Sequence, residues 1–166
     1  MDRGKLPFRK TCEGYFLYEN KFVIARDTRK GYIEFPGGGV DDGENSEEAL
    51  IREDYEEAGV IVEDELKEIG VLRFLWREDW ARTDKQKERY KKYNGEEMHF
   101  FIGKVKKVVD TKGNDIEEGW KGKKFMEIDE AIRFIESQRP FDESLREYRE
   151  FQLMALKLSI PSNFLR

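Results

Sequence analysis

The sequence predicts a single domain of the mixed α/β class, with strands running in both directions. Its 166 residues suffice for one domain with a substantial core. Runs of aromatic and β-branched residues alternate with stretches in which apolar residues recur at helical spacing, and the chain shows no internal repeat or low-complexity linker. We therefore expect one domain over residues 1–166, with a basic insertion at about 79–95 and a C-terminal helix at about 143–158.

The first predicted elements are strands. Residues 11–24 hold two aromatic and β-branched runs separated by Glu19-Asn20, a pattern that predicts a β-hairpin. A third short strand is expected at residues 32–35, just before Pro36 and three glycines. The glycines are expected to form a loop.

A helix is predicted next, over residues 45–58. Asn45 is suited to cap it, Glu48 completes a capping-box pattern three residues on, and Gly59 ends it. Further strands are expected at residues 60–62, 69–76, 98–109 and about 123–127, and further helices at about 129–138 and 143–158.

Charge is unevenly distributed along the chain. The net charge of −5 conceals a block from Asp41 to Glu57 with nine acidic residues and one arginine, a local net of −8, whereas the rest of the chain carries +3. A mildly basic chain with one acidic block predicts a scaffold built around a cation site.

Composition excludes several classes of protein. Aromatic residues make up 13% of the chain, too many for a disordered acidic protein. There is neither an apolar run of about 18 residues nor a signal-peptide pattern, so we expect no membrane partner and a cytoplasmic location. Cys12 and His99 are the only residues of their types, which excludes zinc sites built from cysteine and histidine. Any bound metal must be held mainly by oxygen.

The predicted helix carries three glutamates that fit such a metal. Glu53, Glu56 and Glu57 stand at i, i+3 and i+4, which places their carboxylates on one face, within about 5–6 Å of each other. A cation relieves their repulsion, and oxygen-only ligands point to Mg²⁺ or Mn²⁺. A solvated glutamate-rich face is the alternative interpretation. The glycine loop before the helix favours the metal site, because it lets backbone approach closely.

The stretch from Gly38 to Val60 resembles the Nudix box, the signature of the Nudix hydrolases. The matching positions are Gly38, Glu44, Arg52, Glu53, Glu56, Glu57, Gly59 and Val60, preceded by Phe35-Pro36-Gly37. The resemblance implies a Nudix-like α/β/α sandwich around a mixed β-sheet. It also implies a pyrophosphohydrolase that uses Mg²⁺ or Mn²⁺ to cleave a phosphoanhydride bond in a nucleoside diphosphate linked to a further group.

Site roles carried over from the resemblance fall on the same residues. It implies that Glu53, Glu56 and Glu57 are metal ligands, that the Gly38 carbonyl adds a ligand, and that Arg52 orients the glutamates. Glu53 and Glu56 are the first candidates for accepting a proton from the attacking water.

The resemblance also bears on three further positions, Glu44, Gly59 and Glu97, and on one position, Asp54, where this sequence differs from the family. Glu44 is expected to anchor the loop to the helix, and Gly59 is a structural position of the box. Glu97 is a further candidate ligand or base, because some relatives place an extra acidic ligand near the start of that strand. Asp54 departs from the pattern, since the family has an aliphatic, core-facing residue there, which puts the packing of the helix in question.

Substrate identity is less constrained by the sequence. The motifs that accompany several other Nudix substrates are absent, which leaves a nucleoside triphosphate-like small molecule as the expected substrate. Arg26 and Arg29 are candidates for binding its phosphates. Phe74 and Trp76 are candidates for stacking on its base, with core packing as the alternative.

Two other functions stay open. The segment from Arg82 to Lys92 carries a net charge of +4, which suits the 5′ end of an RNA and makes an RNA 5′-pyrophosphohydrolase the alternative enzyme. A non-catalytic nucleotide-sensing Nudix-like domain is an alternative of another class, which the intact glutamates disfavour. A monomer and a homodimer are both compatible with the sequence.

Overall fold

The computed structural model describes residues 2–27, 31–63, 65–109, 120 and 124–160. The strands are β1 (Phe8–Tyr18), β2 (Phe22–Ile24), β3 (Arg26–Asp27), β4 (Ile33–Glu34), β5 (Gly37–Gly39), β6 (Val60–Val62), β7 (Lys67–Leu75), β8 (Gly95–Val108) and β9 (Phe125–Glu127). The helices are α1 (Ser46–Ala58), α2 (Asp84–Lys92), α3 (Ile128–Ser137) and α4 (Arg146–Ser159), with 3-10 turns at Arg3–Lys5 and Glu78–Trp80. None of the helices within these ranges combines the length and apolar character that crossing a membrane requires.

The main sheet is mixed, as predicted. Its order is β6-β8-β1-β2-β9, with β5 also paired to β1 and β7 also paired to β8. β1 and β8 run parallel over ten residue pairs, from Phe8 opposite Gly95 to Leu17 opposite Lys104, whereas the other pairings are antiparallel.

Two cores lie on opposite faces of this sheet and confirm the α/β/α sandwich. Alternate residues of β1 point to opposite faces. Tyr15 packs with the apolar residues of α3 and α4, whereas Phe16 packs with those of α1. The seven residues from Thr11 to Leu17 are all buried, because both faces of the central strand are covered.

The hairpin and the first helix follow their predicted local signals. The turn after β1 places Glu19 and Asn20 at φ of 53° and 57°. Asn45 and Glu48 form both hydrogen bonds of a capping box, and Gly59 ends α1 in the left-handed conformation at φ 67°.

The glycine run differs from the predicted loop, because it forms β5. Gly37, Gly38 and Gly39 pair with Glu13, Cys12 and Thr11 of β1 in turn. A Cβ atom at Gly37 would collide with the backbone carbonyl of Cys12. Only glycine lets this strand approach so closely.

The basic insertion forms α2, which is fixed at both ends. Thr83 and Gln86 form a capping box at its start. At its end, the Arg3 guanidinium donates to the carbonyls of Tyr90 at 2.7 Å and Tyr93 at 3.0 Å, and it lies 3.4 Å from the centre of the Tyr90 ring. A residue near the start of the described chain therefore positions the insertion.

The last helix begins later than predicted, at Arg146. The side chain of Asp142 accepts hydrogen bonds from the backbone N–H of Ser144 at 3.1 Å and from its hydroxyl at 3.0 Å. These local bonds stabilise a turn that competes with helix.

Candidate active site

Strand β5 and helix α1 of the Nudix-like box meet at Gly38 and Glu53. A Cβ atom at Gly38 would lie 2.5 Å from the carboxyl carbon of Glu53, so a larger residue would displace the Glu53 carboxylate. The Gly38 carbonyl accepts a hydrogen bond from the Cys12 thiol at 3.4 Å. Burial raises the pKa of Cys12 to about 12, so the thiol stays protonated and acts as a donor. The backbone of β5 therefore lies directly against a candidate metal ligand.

Arg52 joins the loop to the glutamates. Its guanidinium donates to both oxygens of Glu44, at 2.7 and 3.2 Å, and to the Gly39 carbonyl at 3.1 Å. Through Nη1 it also donates to Glu53 at 3.0 Å and to Glu56 at 3.2 Å. Glu44 in turn accepts from a loop backbone N–H, that of Asp41, at 2.7 Å. Arg52 therefore contacts the loop and two of the three glutamates, and the orienting role of Arg52 and the anchoring role of Glu44 stay predictions.

Glu57 is held by different partners. Its Oε1 accepts from the backbone N–H of Gly37 at 3.1 Å, and its Oε2 accepts from the indole N–H of Trp120 at 2.9 Å. Both contacts are donors, which suits an ionised carboxylate. The three glutamates all lie on α1 but have different partners: Arg52 binds Glu53 and Glu56, whereas Gly37 and Trp120 bind Glu57.

The electrostatics of these carboxylates favour a cation. Burial raises the pKa of Glu57 to about 8, against the lowering effect of the Gly37 hydrogen bond, and the nearby charge of Glu53 raises it further. Burial also raises the pKa of Glu53, although Arg52 opposes the shift. A bound cation would lower both pKa values by supplying the opposite charge.

The residues present fit a hard divalent cation in chemistry. The atoms available to coordinate a metal around the Gly38–Glu53 contact are carboxylate and carbonyl oxygens, the ligands that Mg²⁺ and Mn²⁺ prefer. Within the part of the chain that the structure describes, no three acidic, histidine or cysteine side chains already converge as a metal-ligand cluster. Instead, Arg52 holds Glu53 and Glu56, whereas Gly37 and Trp120 hold Glu57.

A cleft of about 560 Å³ opens beside this helix. Its lining includes Gly38, Glu53 and Glu57, but not Glu56, together with four cationic side chains. The cations that line it are Arg9, Arg26, Lys85 and Arg89. A carboxylate face and a basic rim therefore share one cleft.

Glu96, rather than the predicted Glu97, lines this cleft. Glu97 lies outside its lining and binds Arg73 at 2.8 Å and His99 at 3.0 Å. The His99 hydrogen bond, together with Arg73, keeps the pKa of Glu97 below its usual range. Burial raises the pKa of Glu96, against the charge of Arg9, which lies 3.7 Å away.

Of the predicted substrate-binding residues that the structure describes, only Arg26 lines the cleft. Arg26 lines the cleft and binds Glu34 at 2.9 Å, whereas Arg29 lies outside the described residues. Phe74 lies outside the lining of the cleft and packs against Tyr148, which belongs to that lining, with ring centres 5.8 Å apart. Trp76 is buried and stacks on another tryptophan rather than facing the cleft.

Sequence reasoning missed three residues of this site. Strand parity does not identify Glu96, because Glu96 shares its face of β8 with the buried Phe100 and Glu97 shares the other face with the buried Phe101. No local signal marks Arg9 or Trp120, since their roles depend on distant segments.

Asp54 is buried on α1, as its position in the box requires. Neither of its carboxylate oxygens has a hydrogen-bond partner within the described ranges. Burial raises its pKa well above the usual value, and the neighbouring Glu57 and Glu53 add to the shift. The packing problem expected from the sequence is therefore present.

Comparison with known proteins gives a family match and several relatives. The family model of the NUDIX domain matches residues 13–148. The chain is 28% identical over 131 residues to an RNA pyrophosphohydrolase of a Nitratiruptor species, covering 76% of this chain and 79% of the relative. It is 42% identical over 64 residues to an RNA pyrophosphohydrolase of Sphingopyxis alaskensis, covering 36% of this chain and 40% of the relative.

The solved structures support the fold. The structure of the Bacillus subtilis pyrophosphohydrolase BsRppH (E68A mutant) is similar, with a TM-score of 0.57 at 18% identity. The match covers 97% of this chain and 90% of that one. At 18% identity, this similarity supports the fold and not a shared activity.

Proposed function

This chain belongs to the Nudix family and is an enzyme of the pyrophosphohydrolase type, and we propose that it hydrolyses the triphosphorylated 5′ end of RNA with Mg²⁺ or Mn²⁺. The observation that carries the proposal is that Lys85 and Arg89 of α2 line the same cleft as Glu53 and Glu57. The two relatives are RNA pyrophosphohydrolases, which supports the same substrate. A nucleoside triphosphate, expected from the sequence, is the competing substrate. A cytoplasmic location stays a prediction.

The proposed roles follow from the contacts. Glu53, Glu56 and Glu57 would hold the metal together with the Gly38 carbonyl. The bound ion would neutralise phosphate charge and lower the pKa of the attacking water. Glu53 or Glu56 would accept the proton of that water, and Arg52 keeps both glutamates on the loop side of α1.

Glu96 takes the role of additional acidic residue that sequence analysis assigned to Glu97. It lines the cleft, whereas Glu97 is already bound by Arg73 and His99. Burial raises its pKa above the usual value, the direction in which enzymes shift carboxyl groups that act as general acids or bases.

The basic residues of α2 divide into two sets. Lys85 and Arg89 line the cleft, where they would bind the polyphosphate. The exposed residues Lys87, Lys91 and Lys92 lie outside that lining. They would attract phosphates beyond the first nucleotide, which an RNA has and a nucleoside triphosphate lacks.

This division separates the two substrates experimentally. Rates should be compared on triphosphorylated RNA and on free nucleoside triphosphates. Lys85→Ala/Arg89→Ala should lower kcat/KM on both, whereas Lys87→Ala/Lys91→Ala/Lys92→Ala should lower it about tenfold on RNA alone. The matched control is Lys104→Ala/Lys106→Ala/Lys107→Ala, which removes three exposed lysines at the other end of β8. If the outer α2 lysines affect neither substrate, the RNA assignment fails.

The metal and the chemistry have their own test. Mg²⁺ should raise the melting temperature of the wild type, and Glu53→Gln/Glu57→Gln should abolish that shift. Glu56→Gln should abolish release of phosphate or pyrophosphate while the protein stays folded, and Glu47→Gln on the same helix should not. Unchanged turnover in Glu56→Gln would favour another site, and wild-type binding without turnover would indicate a nucleotide-sensing domain.

A further inference from the structure

We infer that Trp120 is a positioning residue for Glu57, and that it sets the direction in which this carboxylate meets a cation. The inference rests on the proposed function, because Glu57 is one of the proposed metal ligands. The evidence for this role is a set of contacts between Trp120 and Glu57, which are 63 positions apart in the sequence.

Two hydrogen bonds join Trp120 to Glu57. The indole N–H donates to Oε2 at 2.9 Å, and the backbone N–H of Trp120 donates to the backbone carbonyl of Glu57 at 2.7 Å. A side-chain bond and a backbone bond between the same two residues fix both the position and the orientation of the indole relative to α1.

The carboxylate of Glu57 is thereby held from both sides. Gly37 donates its backbone N–H to Oε1 at 3.1 Å, while Trp120 occupies Oε2. An ionised carboxylate offers about four acceptor positions. Each oxygen of Glu57 therefore keeps one acceptor position for a cation, and the plane of the group is set before the cation arrives.

Trp120 is itself fixed in place. Only 4% of its surface is exposed, and it packs in the core on the α1 side of the sheet. The guanidinium of Arg26 lies 4.9 Å from the centre of its ring, and Glu34 holds Arg26 at 2.9 Å. A cation over an aromatic face is attracted to it. Glu34, Arg26 and Glu57 line the cleft, and Trp120 connects Arg26 to Glu57 from outside that lining.

The competing explanation is that Trp120 only fills the core. Trp120→Phe separates the two, because phenylalanine keeps an apolar ring for packing and for Arg26 but has no N–H donor. Trp80→Phe is the matched control, since Trp80 stacks on Trp76 at 3.9 Å, outside the cleft lining.

The test measures metal affinity directly, by calorimetry with Mn²⁺ and by the thermal shift with Mg²⁺. Hydrogen-bond partners of a ligand typically contribute 10–100-fold to metal affinity, so Trp120→Phe should weaken Mn²⁺ binding by about tenfold or more, and Trp80→Phe should not. At low metal concentration kcat should fall, saturating Mn²⁺ should restore it, and KM for the substrate should stay within about twofold of the wild type. Wild-type metal affinity in a folded Trp120→Phe protein would overturn the inference.

A spectroscopic measurement covers the case in which Trp120→Phe does not fold. In Trp76→Phe/Trp80→Phe, Trp120 is the only tryptophan. Its emission should change on Mg²⁺ addition with the same midpoint as the thermal shift, because the indole N–H bonds to a proposed ligand. Metal binding without any emission change would exclude the positioning role but leave the proposed function intact. A wild type that neither binds metal nor hydrolyses substrate would overturn the proposed function itself.

Discussion

The guanidinium of Arg52 donates hydrogen bonds to both carboxylate oxygens of Glu44, at 2.7 and 3.2 Å. This bidentate pair ties the loop before α1 to the middle of the helix. Arg52 lowers the pKa of Glu44, whose hydrogen bond in turn raises the pKa of Arg52. Because the same guanidinium also binds Glu53 and Glu56, the loop and two candidate metal ligands depend on a single side chain.

Arg52→Lys should therefore impair catalysis although it keeps the charge. An ammonium group lacks the planar fork that serves several carboxylates at once, so we expect kcat/KM to fall at least tenfold and the melting temperature to fall by a few degrees. Steady-state kinetics and thermal unfolding measure the two effects. Arg73→Lys is the control, because Arg73 binds Glu97 outside the cleft lining. Equal losses in both variants would contradict the assigned role.

The neighbouring residues Glu96 and Glu97 form a matched pair for mutation. Glu96 lines the cleft, and Glu97 is bound to Arg73 and His99. We expect Glu96→Gln to lower kcat at least tenfold and to change its pH profile, whereas Glu97→Gln should retain activity within about threefold. The reverse result would restore the role that sequence analysis assigned to Glu97.

Removing the Arg3 side chain should weaken the binding of RNA, although Arg3 does not line the cleft. Arg3 binds the carbonyls at the end of α2 and stacks on Tyr90, so Arg3→Ala should loosen the helix that carries Lys85 and Arg89. We expect a higher KM for triphosphorylated RNA, a steeper loss of activity with added salt, and faster amide exchange in α2. Arg77→Ala, on an exposed turn, is the control. Wild-type exchange rates in the Arg3→Ala variant would show that other contacts hold α2.

Replacing Asp54 with leucine should stabilise the protein. An unpaired buried polar group costs about 1–3 kcal/mol, and each kcal/mol corresponds to about 2–4 °C in melting temperature for a protein of this size. We therefore expect Asp54→Leu to raise the melting temperature by about 5 °C at neutral pH. The exposed Asp42→Leu is the control, and thermal unfolding with a chelator present excludes effects of bound metal.

The gain from Asp54→Leu should grow with pH. Burial raises the pKa of Asp54 in the folded state, so the folded state retains a proton that the unfolded chain releases near pH 3.9. The stability linked to that proton is complete below this pH and is lost as the pH rises. Wild type should therefore lose more stability than Asp54→Leu between pH 5 and pH 8, and parallel curves would contradict the assignment.

Local chemistry was sufficient to predict α1 and its functional face. Asn45, Glu48 and Gly59 act within a few residues of the helix ends, and the spacing of Glu53, Glu56 and Glu57 fixes them on one side of the helix whatever surrounds it. The mixed sheet was predictable for a similar reason, since strand-forming runs and turns are visible in short windows. The glycine strand was not, because its pairing with β1 depends on backbone approach between distant residues.

The sequence by itself thus determined the class of fold, the family and the carboxylate face of α1, because capping, helical spacing and a contiguous motif are short-range properties. Only the tertiary structure decided that Glu96 and not Glu97 lines the cleft, that Arg3 holds the basic helix beside it, and that Trp120 binds Glu57. These relationships depend on which face of a strand meets which layer and on contacts between residues 63 to 90 positions apart. Packing across the sheet sets them, and no local pattern in the sequence encodes them.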